Sequence, residues 1–180
     1  MKKALGILEF SSISKGIEVS DVLLKASFVE VEILKHICPG KFLTIISGET
    51  EEVKEAIEKA KGEEEKKLVE GTVITNASYE MLNALKKRPT IINFNAIGIM
   101  EFNTMASALI ALDIALKSSD VQLVKLVLGN GIAGKAYFII NGSVSSVEEG
   151  IGASKAHVSP NKIIHSAVIP SPSEFLLKNL

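Results

Sequence analysis

The run Ala4-Leu5-Gly6-Ile7-Leu8-Glu9-Phe10 occurs twice in this chain. Ala96-Ile97-Gly98-Ile99-Met100-Glu101-Phe102 matches it position by position, with identity at Ala, Gly, Ile, Glu and Phe. The same offset pairs Asp21 with Asp113, Lys25 with Lys117, Ser27 with Ser119 and Val29 with Val121. A register held over that distance identifies a tandem duplication, so whatever fold the first half adopts must also suit the second. A chain of 180 residues then divides into two domains of ordinary size, residues 1–90 and 91–180. The joint is expected near Arg88-Pro89-Thr90, where proline interrupts helical continuation.

Each copy reads as strand, helix, strand, strand, helix, strand, small helix. Ala4 to Phe10 is short and mostly apolar, as a buried strand should be. Ser11 or Ser12 then caps a helix with Ile13, Ile17, Leu23 and Leu24 as its apolar positions; Asn103 or Thr104 opens the matching helix. Val29 to Ile33 alternates apolar and charged residues, the period of a strand with one face covered. Lys41 to Gly48 is the next strand, with Lys135 to Gly142 as its partner in the second copy. Between Glu49 and Gly62, Val53, Ala56, Ile57 and Ala60 form one face of an amphipathic helix. Gly62 to Lys67 is charged and reads as a solvated turn. Leu68 to Ile74 is a fourth strand, echoed by Ile163 to Ile169, and a short helix from about Ser78 to Lys87 ends the first half. The second half ends in Pro170-Ser171-Pro172 and a short tail helix. This is an α+β layer architecture with helices on one face of a compact sheet.

Composition narrows the function classes. Apolar residues make up 47% of the chain against 23% charged, enough for a packed core, and with 5% aromatics that core must be aliphatic. A net charge of -1 leaves no electrostatic footprint for nucleic acid or an anionic membrane. The amino-terminal apolar run meets Glu9 too early for a signal peptide, and no stretch approaches the roughly 18 apolar residues of a membrane helix. No triad order, nucleophile elbow, Walker or dinucleotide glycine motif is present.

The one place where the copies diverge chemically is the connection between their second and third strands. The first offers His36-Ile37-Cys38-Pro39-Gly40 and the second Leu128-Gly129-Asn130-Gly131-Ile132-Ala133-Gly134, longer by two residues and without a thiol. Cys38 is the only cysteine, so it cannot form an internal disulfide, and it fits a reducing compartment. Proline and glycine after it place the thiol at a loop tip. Free cysteine as a residue type is more often buried as a small hydrophobe, so burial stands beside exposure as an expectation. His36 stands two residues before Cys38 and reads as a rim or interface histidine, and His157 and His165 as surface or interface residues.

The Ala-x-Gly-Ile-x-Glu start, the Asp-x-x-x-Lys spacing in the first helix, the glycine-bearing strand-strand loop and the Cys38-Pro39-Gly40-Lys41-Phe42 run together resemble the bacterial microcompartment shell domain. Two copies in unpermuted order resemble the tandem-domain shell proteins, and the cysteine run the cluster-binding type from propanediol-utilisation compartments. The resemblance covers essentially the whole chain. It implies two tandem ferredoxin-like BMC domains and a homotrimer whose six domains make a pseudohexagonal tile, with the strand-strand loops meeting at the axis. It further implies a pore loop of His36, Ile37, Pro39, Gly40, Gly129, Asn130, Gly131, Ile132, Ala133 and Gly134. Lys25 and Lys117 then lie at the tile edge, although each is also placed for an ordinary i,i+4 pair with the aspartate four residues before it.

On that resemblance, three Cys38 thiolates ligate one 4Fe-4S cluster per trimer and leave one iron to an outside ligand. Zn2+ would also accept thiolates, so the metal's identity rests on the family. The implied role is structural, not enzymatic: a cytoplasmic shell tile that joins other shell proteins in a lateral sheet. Its cluster would carry electrons across the shell or be delivered to enzymes, with lumen or cytosolic redox enzymes as partners and neither nucleic acid nor membrane. Two alternatives remain open at this point, a cluster-free tile with a gated metabolite pore and a soluble trimeric small-molecule-binding regulator.

Overall fold

In the computed structural model, which describes residues 3–63, 65–87, 89 and 95–180, the duplicated run is the inner strand of each of two four-stranded sheets. The first sheet has the order β2-β3-β1-β4, formed by β1 (Ala4–Phe10), β2 (Glu30–Ile37), β3 (Lys41–Gly48) and β4 (Leu68–Ile74). β1 pairs antiparallel with both β3 and β4, and all seven of its residues are buried. With both edges hydrogen-bonded and both faces covered, such a strand has no position at which a polar alternation would be rewarded, hence its apolar run.

Two helices accompany this sheet, α1 (Ile13–Ala26) and α2 (Thr50–Glu63). Ser12 caps α1 by accepting a hydrogen bond from the Lys15 amide, and α2 buries the expected Val53, Ala56, Ile57 and Ala60. These pack with Leu8, Phe10, Leu23, Phe42 and Ile46 into one aliphatic cluster. Each such side chain contributes about 1.5–3 kcal/mol when fully buried. The buried Ser20 hydroxyl is satisfied by Gly16 O at 2.6 Å and by Thr44 Oγ1 at 2.7 Å, so a polar residue inside α1's packed face is not orphaned.

Three expectations need correction in this unit. α1 buries Gly16, Val19, Ser20 and Leu23, whereas Ile13 and Ile17 are 38% and 52% exposed. The helix turns its small residues toward the sheet, which leaves these two isoleucines on the outer side. β2 also runs on to Ile37, because His36 and Ile37 pair with Phe42 and Lys41 and shorten the connection to a turn of three residues. The charged run after α2 is turn only from Glu65 onward, since the helix continues through Glu63; Glu64 lies outside the described residues. The expected joint at Arg88 and Thr90 also lies outside them.

The second sheet repeats the topology as β6-β7-β5-β8, with β5 (Ala96–Phe102), β6 (Val121–Leu128), β7 (Ala136–Gly142) and β8 (Ile163–Pro170). Its helices are α4 (Met105–Ser118) and α5 (Val144–His157), and a 3-10 turn at Pro160–Lys162 leads into β8. The Ser154 hydroxyl of α5 donates to the Ala111 carbonyl of α4 at 2.7 Å, and the Phe102 and Phe138 rings stack with centroids 5.8 Å apart.

The chain forms two compact units that exchange segments relative to the repeat. One contains residues up to 77 with 104–106 and 128–134; the other contains 78–103, 107–127 and 135–180. The short helix that follows β4, α3 (Tyr79–Lys86), therefore belongs to the second unit. There the Ser78 amide donates to Asp113 Oδ1 at 2.7 Å, Glu80 Oε1 accepts from the Leu123 amide at 2.5 Å, and Met81 is fully buried. The tail helix is α6 (Glu174–Lys178).

Candidate functional site

The site is built on the end of the β2–β3 ladder. Ile37, opposite Lys41, is 1% exposed, and the chain then turns through Cys38, Pro39 and Gly40. Gly40 has φ +103°, a conformation other residues rarely take, and its amide donates to the Ile37 carbonyl at 3.1 Å to close the turn. The Cys38–Pro39 peptide is cis. Cys38 is a free and exposed thiol, so the expectation of a buried cysteine does not hold.

What fixes this turn from outside comes from the other copy of the repeat. The Cys38 amide donates to the Gly129 carbonyl at 3.2 Å. Gly129 and Gly134 both lie at left-handed φ, +78° and +74°, and both are buried. A Cβ at Gly129 would stand 2.6 Å from Ile37 Cβ, and one at Gly134 only 2.4 Å from the Cys38 carbonyl oxygen. These two glycines are therefore required by close packing as well as by conformation. Between them Asn130, Gly131 and Ala133 are exposed and Ile132 is half-buried, so the loop is pinned at its ends and presents its middle outward.

His36 is exposed in β2 opposite Phe42, His157 is exposed with its Nδ1 2.8 Å from the Ala153 carbonyl, and His165 is exposed opposite Glu101 in the β5–β8 ladder. Among the described residues no three His, Cys, Asp or Glu side chains converge as a ligand set. One chain thus supplies one soft sulfur donor. That donor suits iron-sulfur chemistry in kind, and it suits it in number only when copies of the chain share the site. Two residues before the buried Ile37, Lys35 has its ammonium pKa pushed below the ordinary 10.5 by burial.

A buried carboxylate that the motifs did not single out stands at the end of β1. Glu9 is fully buried, ion-paired to Lys41 Nζ at 2.7 Å, and accepts from the Met105 amide at 3.0 Å. It thereby satisfies an orphan donor in the first turn of α4, where negative charge is favoured. Its recurrence as Glu101, together with a lysine opening the third strand of each copy, was the available signal. Glu101 pairs with Lys135 at 2.9 Å but is part-exposed. Lys25 pairs with Asp21 at 2.6 Å on an open surface, and Lys117 pairs with a buried Asp113.

A family model of the BMC domain matches the chain twice, over residues 4–77 and 96–172. The chain belongs to the BMC domain family. It is 34% identical over its whole length, and over 98% of the relative, to the bacterial microcompartment shell protein PduT of Citrobacter freundii. A microcompartment protein from Desulfitobacterium hafniense superposes with a TM-score of 0.89 at 31% identity, covering 99% of both chains. A double-ringed trimeric shell protein from an RMM microcompartment shares the fold, with a TM-score of 0.68 at 18% identity over 88% of this chain and 83% of the other.

As a BMC-domain protein, this chain is a component of a microcompartment shell within the cytoplasm, and its family is structural rather than catalytic. Among the described residues no helix is long and apolar enough to cross a membrane.

Proposed function

We propose that three copies of this chain form one shell tile and that their Cys38 thiolates together hold a 4Fe-4S cluster at the shared axis. The observation that carries the proposal is the exposed thiol at the tip of a turn whose backbone is anchored on both sides. A solitary flexible cysteine would have to lose conformational entropy before ligating anything, whereas this turn has already done so. Similarity to a PduT shell protein over the whole length supports the same assignment. The Gly129–Gly134 segment holds the Cys38 backbone, and the turn directs the sulfur away from the core.

A cluster bound this way supplies one-electron redox capacity within the protein layer, either for transfer across the shell or for delivery to redox enzymes. Lateral neighbours would be other shell proteins, with Lys25 and Lys117 at the edge. The test is an absorption spectrum with iron and sulfide assays on protein purified without oxygen from iron-sufficient cells. A brown protein with about one cluster per three chains, colourless as Cys38→Ser, is the expected result. A colourless unsubstituted protein with no bound iron would overturn the cluster and leave the exposed 130–133 segment as the lip of a metabolite pore.

A further inference from the structure

The duplication places the same residues in two environments, and the differences between them point to what is missing. Glu9 in the first copy caps α4 at Met105, which is fully buried. Its counterpart Glu101 has the same lysine partner but is part-exposed, and the counterpart of Met105 is Ile13, 38% exposed at the start of α1. Asp113 receives the Ser78 amide and is 5% exposed, whereas the aspartate equivalent to it, Asp21, keeps a 59% exposed side chain beside Lys25. Leu123 lies under α3 and is fully buried; its equivalent, Val31, is 46% exposed. The element equivalent to α3 is α6, which begins at Ser173 and carries Phe175, 80% exposed, at the place of Glu80. The second copy is thus covered at each point where the first is bare, and it carries unused versions of the covering groups.

We infer that the face formed by Ile13, Asp21 and Val31 is covered by the Glu101 and α6 region of another copy of this chain, repeating between chains the contacts made within one. This rests on the trimer reading and specifies its interface. Glu101 of one copy accepts from the first-turn amides of α1 in the next, as Glu9 does for α4. The Ser173 amide meets Asp21, and Phe175 lies on Val31. Because the donor and acceptor surfaces differ, the contact is heterologous, and three such contacts close a ring.

The test is cross-linking combined with sedimentation. In a Cys38→Ser background, Val31→Cys and Phe175→Cys alter two exposed positions, and a short bis-maleimide is added. The expected result is a ladder of one, two and three covalently joined chains and nothing larger. If the unsubstituted protein sediments as a trimer while this variant yields only single chains, or a ladder running past three, the interface is wrong and the trimer reading stands. If the unsubstituted protein does not sediment as a trimer, both fall. In the otherwise unsubstituted chain, Glu101→Gln should raise the concentration at half-dissociation by about tenfold or more, since a charge-assisted hydrogen bond is lost. Lys135→Met, which removes only a partly exposed pair, should leave that concentration nearly unchanged. Equal effects of the two substitutions would overturn the capping role of Glu101.

Discussion

Replacing Gly134 by alanine tests whether the second copy's loop holds Cys38 in place. The backbone there has φ +74°, and an L side chain in that region costs about 1–2 kcal/mol. The added methyl would also stand 2.4 Å from the Cys38 carbonyl oxygen, where ordinary contact begins at 3.4 Å. The obstacle is backbone, not the end of a flexible side chain, so relief requires the turn itself to move, at a further cost of about 1–3 kcal/mol. Gly131 provides the control, because it shares the left-handed conformation at φ +73° and a methyl added there would meet nothing within 4 Å. Gly131→Ala should therefore cost about 1–2 kcal/mol and Gly134→Ala about 3 kcal/mol. Urea unfolding at one fixed protein concentration measures both, since the apparent stability of an assembly depends on concentration. The rate at which a thiol reagent modifies Cys38 in the iron-free protein reports the position of the turn, and it should change only in Gly134→Ala. Iron retention should fall in the same variant. Indistinguishable stability, thiol reactivity and iron content in the two variants would refute the claim that Gly134 positions the cysteine.

Glu9→Ala should destabilise the protein by about 3 kcal/mol in the same unfolding assay, because Lys41 and the Met105 amide lose a buried partner; a cost under about 1 kcal/mol would show that water replaces the carboxylate. Lys25→Ala and Lys117→Ala should leave the sedimenting species unchanged while reducing sheets seen by electron microscopy, and unaltered sheets would remove both from the tile edge. Burial depresses the Lys35 pKa, so the folded state binds its proton less tightly than the unfolded chain. The penalty is complete at pH below the folded value and disappears as pH rises through that value toward 10.5, so stability gains with pH in that window. Lys35→Met should flatten this alkaline slope, measured as unfolding midpoint against pH, and an unchanged slope would sink the assignment.

Much of the fold is legible in the chain because the signals that specify it are local. β1, β4 and β5 begin and end where their apolar runs do, and α2 buries the four residues its periodicity selects. The duplicated motif carries the second domain along with the first, and the turn after β2 follows from proline and glycine beside the only cysteine. Periodicity failed at α1, where Ile13 and Ile17 have helical spacing yet lie outside, and at β2, whose last residues are recruited by pairing with Phe42 and Lys41. Both outcomes depend on what the partner surface offers, which spacing along one segment does not record.

The sequence alone determined the duplication, the strand and helix order of each copy, and the asymmetry that leaves a thiol in only one of two equivalent turns. Tertiary structure alone decided that this thiol is exposed, that Gly129 and Gly134 clamp its backbone, that α3 docks on Asp113 and Leu123, and that Glu9 caps a helix of the other copy. The division has a physical basis: turns and amphipathic periods are set by neighbouring residues, whereas exposure and the choice of hydrogen-bond partner are set by groups far apart in the chain that meet only after it has folded.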